Sequence, residues 1–129
     1  MNLLLDTHIF LWYISADPQL PDSARVAIGN STNQVFLSPV SVWEAIIKHN
    51  LGKLPLPHPP HIYLPQQHKR HKISKLAVSE EAVVHIAKIP DIHRDPFDRL
   101  LIAQALQHNL TPVTVDQKIL AYPISSLPL

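Results

Sequence analysis

The amino-acid sequence predicts an α/β fold, namely a three-layer α/β/α domain built on a small, mostly parallel sheet. The first observation is that two short apolar runs, residues 2–5 and 111–115, each end directly in an aspartate. Such runs are typical of buried parallel strands, whose carboxyl ends carry the ligand sites of open α/β sheets. The second is that segments with helical periodicity separate these runs from each other and from a third run at residues 34–37. The length fits one domain, so we expect residues 1–129 to fold as a single unit.

The boundaries of the elements are predicted mainly from proline, glycine and capping residues. In the first half of the chain, the expected elements after the first strand are a helix over residues 8–15, a helix over 21–29, a strand over 34–37 and a helix from Ser38-Pro39 to about Leu51. A proline-rich connection over 53–60 then leads to a short helix over 61–71, interrupted near Pro65, and to a strand over 73–78. The remaining expected elements are a helix capped by Ser79 that ends before Pro90, a helix from Pro96 to His108, a strand over 111–115, a helical turn over 117–120 and a last edge strand from Ile124.

The composition narrows the range of functions. The chain has no cysteine, which excludes disulfide frameworks and thiolate metal sites such as zinc fingers. Its net charge of +1 lacks the strong positive field of a DNA-packaging protein, although local nucleic-acid binding stays open. Asp6 interrupts the N-terminal apolar run, so no signal peptide is predicted, and no apolar stretch is long enough to span a bilayer. We therefore expect a cytoplasmic protein without membrane contact.

Residues 93–105 form the most informative stretch, HRDPFDRLLIAQA. Asp95 can cap the helix, Pro96 suits its first position, and Asp98 falls at the third. An apolar stripe follows Asp98 at helical spacing, formed by Leu101, Ile102, Ala105 and Leu106. An acidic residue in line with a buried stripe is costly unless a helix dipole, an arginine or a metal compensates its charge. For this stretch alone, a simple helix start explains both acids equally well.

Three further carboxylates extend this pattern. Asp6 and Asp116 each end a predicted strand, and Glu44 lies near the start of a helix that follows a strand. In a parallel sheet with right-handed crossovers, all of them can meet Asp98 at one rim. Such a cluster would raise the pKa values of its members unless a divalent cation were bound. Oxygen ligands favour Mg²⁺ or Mn²⁺, and the natural reaction of such a site is phosphodiester hydrolysis by metal-activated water.

Each of these residues also has a purely structural interpretation. Glu44 interrupts an apolar stripe formed by Val40, Trp43, Ile47 and Leu51, and it can either reach solvent or meet a partner. The histidines at 58, 61, 68 and 71 are spaced like zinc ligands, but a proline fills the first gap and no cysteine assists. The basic run at residues 68–72 is either a solvated face or a phosphate contact.

Four motifs together resemble the PIN-domain ribonucleases, and within them the VapC-like toxins of type II toxin–antitoxin pairs. These motifs are LLLDTH at residues 3–8, SVWE at 41–44 with Lys48 and LGKL at 51–54, HRDPFDRLLIA at 93–103, and VTVD at 113–116. The resemblance covers nearly the whole chain, and the third motif is the most specific. It implies a PIN-like fold and a Mg²⁺-dependent (or Mn²⁺-dependent) endoribonuclease that a cognate antitoxin silences and that pairs as a homodimer.

The resemblance also implies roles for individual residues. Asp6, Glu44, Asp98 and Asp116 map onto the acidic metal site and the catalytic residues of the family, and Thr114 onto a hydroxyl that supports the site or positions water. Asp95 is a cap first and a ligand second. Some relatives carry a polar or basic residue where this chain has Val115, so phosphate contact is assigned instead to Arg94, Arg99 or the basic run at residues 68–72.

Two other functions compete with RNA cleavage. One is a metal-dependent phosphatase or a nuclease with another substrate on a similar sheet. The other is a catalytically weak module that binds proteins through its N-terminal apolar helix, whose residues Phe10, Leu11, Trp12 and Tyr13 carry much apolar surface. That surface would receive the antitoxin or a second protomer, although core packing accounts for at least two of the four side chains.

Overall fold

A four-stranded sheet with the strand order β3-β2-β1-β4 forms the centre of the computed structural model, which describes all residues from Met1 to Leu129. The strands are β1 (Asn2–Leu5), β2 (Gln34–Leu37), β3 (Ser74–Lys75) and β4 (Thr111–Val113). All three pairs of neighbouring strands are parallel. The predicted α/β class is therefore confirmed, and the sheet is parallel throughout.

Seven helices cover the sheet. They are α1 (Thr7–Ile14), α2 (Asp22–Gly29), α3 (Pro39–Asn50), α4 (Pro60–Arg70), α5 (Glu80–His85) with a 3-10 turn at Ile86–Lys88, α6 (Pro96–Gln107) and α7 (Gln117–Leu120). The hydroxyls of Ser38 and Ser79 accept hydrogen bonds from the amides of Val40 and Ala82, so both predicted caps are confirmed. None of the helices combines the length and the hydrophobicity that crossing a bilayer requires.

The side chains of β1 divide the core between the two faces of the sheet. Leu3 and Leu5 lie in a large apolar cluster on one face, together with Phe10 of α1. Leu4 points to the other face and packs in a second cluster with Leu101 of α6. Because alternate side chains of a strand point to opposite faces, one short strand organises all three layers.

Three predicted boundaries are wrong. Helix α4 runs through Pro65 without interruption, because it buries Leu64 and His68 one turn apart on the same face. The strand predicted over residues 73–78 is reduced to β3. Ile124 does not begin a strand: the tail makes one hydrogen bond to the sheet, from the Leu127 amide to the Pro112 carbonyl (2.9 Å). Prolines 123 and 128 have no amide hydrogen to extend such a pairing.

Candidate metal centre

A cavity of about 380 Å³ lies at the carboxyl ends of β1 and β4, which are neighbours in the sheet. We call it the acidic cavity. Its lining consists of Asp6, His8, Trp12, Glu44, Lys48, His93, Asp95, Asp98, Val115, Asp116 and Lys118. The structure thus brings together the four carboxylates that the sequence singled out. It places them where parallel α/β sheets bind ligands.

Asp98 occupies the first turn of α6, and Asp95 caps that helix. One carboxylate oxygen of Asp95 accepts hydrogen bonds from the amides of Phe97 (2.9 Å) and Asp98 (3.2 Å), so the predicted cap is confirmed. Asp98 itself is 6% exposed, and its Oδ2 lies 2.9 Å from Nε2 of His93. Burial, together with the negative charges of Asp95, Asp6 and Glu44, raises the pKa of Asp98 to about 7 against the opposing effect of His93.

Asp6 is fixed by Thr114, which lies beyond the end of β4. The hydroxyl of Thr114 donates to Oδ2 of Asp6 at 2.8 Å and accepts from the amide of Asp116 at 3.0 Å. This hydroxyl therefore links the two strand-end aspartates. Burial raises the pKa of Asp6, although the Thr114 hydrogen bond and the charge of His8 act in the opposite direction.

Glu44 is buried and satisfied at both oxygens. Its Oε1 accepts a hydrogen bond from the hydroxyl of Thr7 (2.7 Å), which also lies 2.9 Å from the hydroxyl of Ser41. Its Oε2 accepts from Nζ of Lys48 (2.7 Å). Burial acts to lower the pKa of Lys48. The hydrogen bond to Glu44 and the negative charges of Glu44, Asp95 and Asp98 outweigh it, so that the pKa of Lys48 is raised overall. Glu44 therefore meets a specific partner.

The predicted apolar stripe of α3 is wrong, because Trp43 and Leu51 are 58% and 64% exposed. The buried face consists of Val40, Ser41, Glu44 and Ala45. The hydroxyl of Ser41 lies 2.9 Å from that of Thr7 on α1, Ala45 packs in the large apolar cluster, and Glu44 lies on the same buried face. The ring of Trp43 instead packs edge-on against Phe97 at a centroid distance of 4.9 Å and joins α3 to α6.

His93 is a residue of the cavity that sequence reasoning did not select. His93, Asp98 and Asp116 each have one ligand atom that lies within 4.8 Å of the ligand atoms of the other two. Two ligands on opposite sides of an ion with bonds of about 2.1 Å are separated by about 4.2 Å, so these separations are close to those around one ion. His93 stands in the most specific motif of the chain, five positions before Asp98, which was the available signal. Lys48 was also missed, although its spacing of four residues from Glu44 on a helix indicates a pair.

The remaining predicted contacts lie outside this group. Arg94 is exposed and does not line the cavity. Arg99 donates to the carbonyl oxygens of Ile86, Pro90 and His93 and to the hydroxyl of Tyr122. This geometry favours a role for Arg99 in holding the loop before α6 over contact with phosphate.

The histidines spaced like zinc ligands do not gather. Nδ1 of His68 pairs with the carbonyl oxygen of Ile73, and His71 packs edge-on against Tyr13. His58 instead lies against Tyr63. Lys69, Arg70 and Lys72 of the basic run are exposed.

The fold is a parallel α/β sheet, and four carboxylates line one cavity at its strand ends. These two features together define a class of domains with an acidic site that suits a divalent cation. Within that class, the chain belongs to the PIN domain family, whose model matches residues 3–124.

Individual relatives are consistent with this membership. Ribonuclease VapC16 of Mycobacterium tuberculosis is 34% identical over 64 residues, which cover 50% of this chain and 45% of the relative. The match thus spans about half the length of that protein. Among solved structures, VapBC2 from Rickettsia felis, bound to a promoter DNA fragment, aligns over 99% of this chain and 98% of its own with a TM-score of 0.71 and 18% identity. FitAcB from Neisseria gonorrhoeae aligns over 98% and 96%, with a TM-score of 0.64 and 19% identity. At these identities, the structural matches establish the fold.

Proposed function

We propose that this chain is a metal-dependent endoribonuclease whose residues 1–129 form one PIN domain, and that it acts as the toxin of a type II toxin–antitoxin pair in the cytoplasm. The observation that carries the proposal is the meeting of Asp6, Glu44, Asp98 and Asp116 in one cavity at the carboxyl edge of the sheet. Family membership and the partial likeness to a VapC ribonuclease support the choice of RNA as the substrate.

The side chains of the acidic cavity fit Mg²⁺ or Mn²⁺. Carboxylate oxygens of Asp98 and Asp116 lie within 4.8 Å of each other, and burial, together with the neighbouring carboxylates, raises the pKa of Asp98. When bound, a divalent ion would polarise the scissile phosphate and lower the pKa of a bound water. Asp98 and Asp116 would hold the ion, with Asp6 and Glu44 beside it.

The protein groups around the ion have separate tasks in this proposal. Thr114 orients the carboxylate of Asp6 through its 2.8 Å hydrogen bond. Lys48 holds Glu44 in place and brings a positive charge to the cavity wall, and Lys118 adds a second. Two lysines at the wall would attract the RNA backbone without contacting the bases, which suits a substrate held by its phosphates.

The test is cleavage of an end-labelled RNA oligonucleotide by the purified chain in Mg²⁺ or Mn²⁺. We expect cleavage that EDTA abolishes and that falls at least about a hundredfold in Asp98→Asn and in Asp116→Asn. Asp22→Asn, at a carboxylate that is 94% exposed on α2, serves as the matched control and should cleave like the wild type. Unchanged cleavage in both cavity variants would contradict the proposal. Preference for DNA or for small phosphate esters would reject RNA as the substrate.

We further propose a cognate antitoxin and a homodimer as partners. The solved structures with this fold include VapBC and other toxin–antitoxin complexes, which supports the first. A groove of about 480 Å³ between α1 and the proline-rich segment, lined in part by Leu11, Trp12, Leu54 and Leu56, offers apolar surface for it. Co-expression with the product of the adjacent small gene should abolish RNA cleavage. Light scattering on the isolated chain should give the mass of two copies, and a monomer would contradict the dimer.

A further inference from the structure

His93 is held in the acidic cavity by contacts to its own backbone. The hydroxyl of Tyr122 accepts from the His93 amide (2.7 Å) and donates to the His93 carbonyl (3.0 Å). The guanidinium of Arg99 donates to the same carbonyl at 3.2 Å. The imidazole, whose side chain is 15% exposed, lies with Nε2 directed at Asp98.

The distances around this imidazole match those between ligands of one metal ion. Nε2 of His93 lies 2.9 Å from Oδ2 of Asp98. Neighbouring ligands of an octahedral ion with bonds of about 2.1 Å are separated by about 3 Å. The third donor, a carboxylate oxygen of Asp116, lies within 4.8 Å of both other atoms. Glu44 is not a member of this group, and its two oxygens accept hydrogen bonds from Thr7 and Lys48.

Resting on the metal dependence proposed above, we propose that His93 is a nitrogen ligand of the divalent ion, so that the site prefers Mn²⁺ over Mg²⁺. Mg²⁺ is a hard ion that takes oxygen ligands and retains its waters. First-row transition ions accept imidazole as well as carboxylate, and among them Mn²⁺ is the one best suited to a carboxylate-rich site. A set of one imidazole beside Asp98 and Asp116 therefore selects Mn²⁺, where carboxylates alone would suit either ion.

The direct test uses pulsed EPR of the full chain loaded with one equivalent of Mn²⁺, without RNA. The wild type should show modulation from a directly bound ¹⁴N nucleus, and His93→Gln should lose it. His61→Gln, at an exposed histidine of α4 remote from the cavity, is the matched control and should keep it. Tyr122 and Arg99 fix the backbone at residue 93, so His93→Gln should fold, which a melt in EDTA verifies.

Titration calorimetry with Mn²⁺ and Mg²⁺ provides a second readout. The wild type should bind Mn²⁺ more tightly than Mg²⁺, and His93→Gln should weaken Mn²⁺ at least about tenfold while affecting Mg²⁺ less. Equal affinities in the wild type would overturn the proposal. So would nitrogen modulation that persists in His93→Gln, because it would assign the ligand to another imidazole such as His8, which lines the same cavity.

These measurements separate the two proposals. Nitrogen modulation without RNA cleavage would leave His93 as a ligand and reject the proposed ribonuclease. Cleavage by a protein whose bound Mn²⁺ shows no nitrogen modulation would reject His93 as a ligand and leave the ribonuclease intact.

Discussion

Burial and the neighbouring carboxylates make Asp98 costly to ionise. Its pKa is about 7 in the folded chain, against 3.8 for an unperturbed aspartate, because it is buried among other carboxylates. Between these two values the folded state holds a proton that the unfolded state has released. The contribution of Asp98 to stability is therefore greatest below about pH 4 and is lost as the pH rises towards 7.

The first prediction concerns Asp98→Asn in EDTA, where no metal balances the charge. The variant cannot ionise, so its melting temperature should exceed that of the wild type at pH 8 by more than it does at pH 5. Thermal melts at both pH values measure this, and the difference between variant and wild type removes the effects of other titrating groups. Asp22→Asn, at a carboxylate that is 94% exposed, is the matched control. A difference for Asp98→Asn that is the same at pH 5 and pH 8 would contradict the raised pKa.

The second prediction separates the two interpretations of Asp95. As an N-cap, Asp95→Ala should lower the free energy of unfolding by about 1 kcal/mol, whereas Asp95→Asn should cost only a few tenths, since asparagine caps as well as aspartate. Urea denaturation in EDTA measures both. Asp95→Asn should also keep its affinity for Mn²⁺ within a few-fold of wild type. A large loss of Mn²⁺ binding in that variant would identify Asp95 as a ligand.

Helix α3 shows how an element can carry a buried acid at little cost. Glu44 points inward with Ser41 and Ala45, and Lys48 follows one turn later, where its ammonium group reaches the glutamate from the solvent side. The pair joins a nearly buried acid, with 7% of its side chain exposed, to a lysine that is 37% exposed. Removal of the lysine should therefore leave a buried charge with only the hydroxyl of Thr7 as a partner.

The third prediction follows from this arrangement. Lys48→Met should reduce the free energy of unfolding in EDTA by about 1–3 kcal/mol, and the double variant with Glu44→Gln should recover much of the loss. Arg25→Met is the matched control, because its partner Asp22 on α2 is 94% exposed, and it should cost less than about 1 kcal/mol. Urea denaturation of the wild type and these three variants measures the differences. No recovery in the double variant would mean that Lys48 stabilises α3 through packing alone.

The same elements explain which features the sequence could predict. The starts of α3, α5 and α6 follow from Ser38, Ser79 and Asp95, because each cap is local and depends on a few neighbouring residues. The inward face of α3 depends on the neighbouring helices α1, α4 and α6, so periodicity selected Trp43 and Leu51 where the structure buries Ser41 and Ala45. The strand predicted at Ile124 does not form although β4 offers a free edge, because Pro123 and Pro128 lack the amide hydrogens that would extend the single bond from Leu127 to Pro112.

The sequence singled out the four acids that meet in the cavity and the hydroxyl of Thr114, but not His93 or Lys48. Asp6 and Asp116 end apolar runs, which marks them in any parallel sheet. The place of His93 depends on Tyr122, which is 29 positions away and anchors the loop before α6. No local pattern in the sequence reports such a contact.

At the scale of the whole molecule, the acidic cavity joins the ends of the chain. Thr114 and Asp6 are 108 positions apart, and further side chains of the cavity come from α3, from α6 and from the loop that precedes α6. An ion bound by side chains from several elements binds only the folded state, so it stabilises the fold by an amount set by its concentration relative to its dissociation constant. The protons of the raised carboxylates compete with the ion for the same oxygens.

The fourth prediction follows from this linkage. Mn²⁺ at about a hundred times its dissociation constant should add about 2.7 kcal/mol to the free energy of unfolding. The same Mn²⁺ concentration should add less at pH 5, where Asp98 is protonated, than at pH 8, where it is ionised. Melts with and without Mn²⁺ at both pH values measure this, with KCl matching the ionic strength and Asp98→Asn as the variant that should respond least. An equal rise in melting temperature at pH 5 and pH 8 would mean that Mn²⁺ stabilises the chain through surface charges, because only binding at the buried carboxylates competes with their protons.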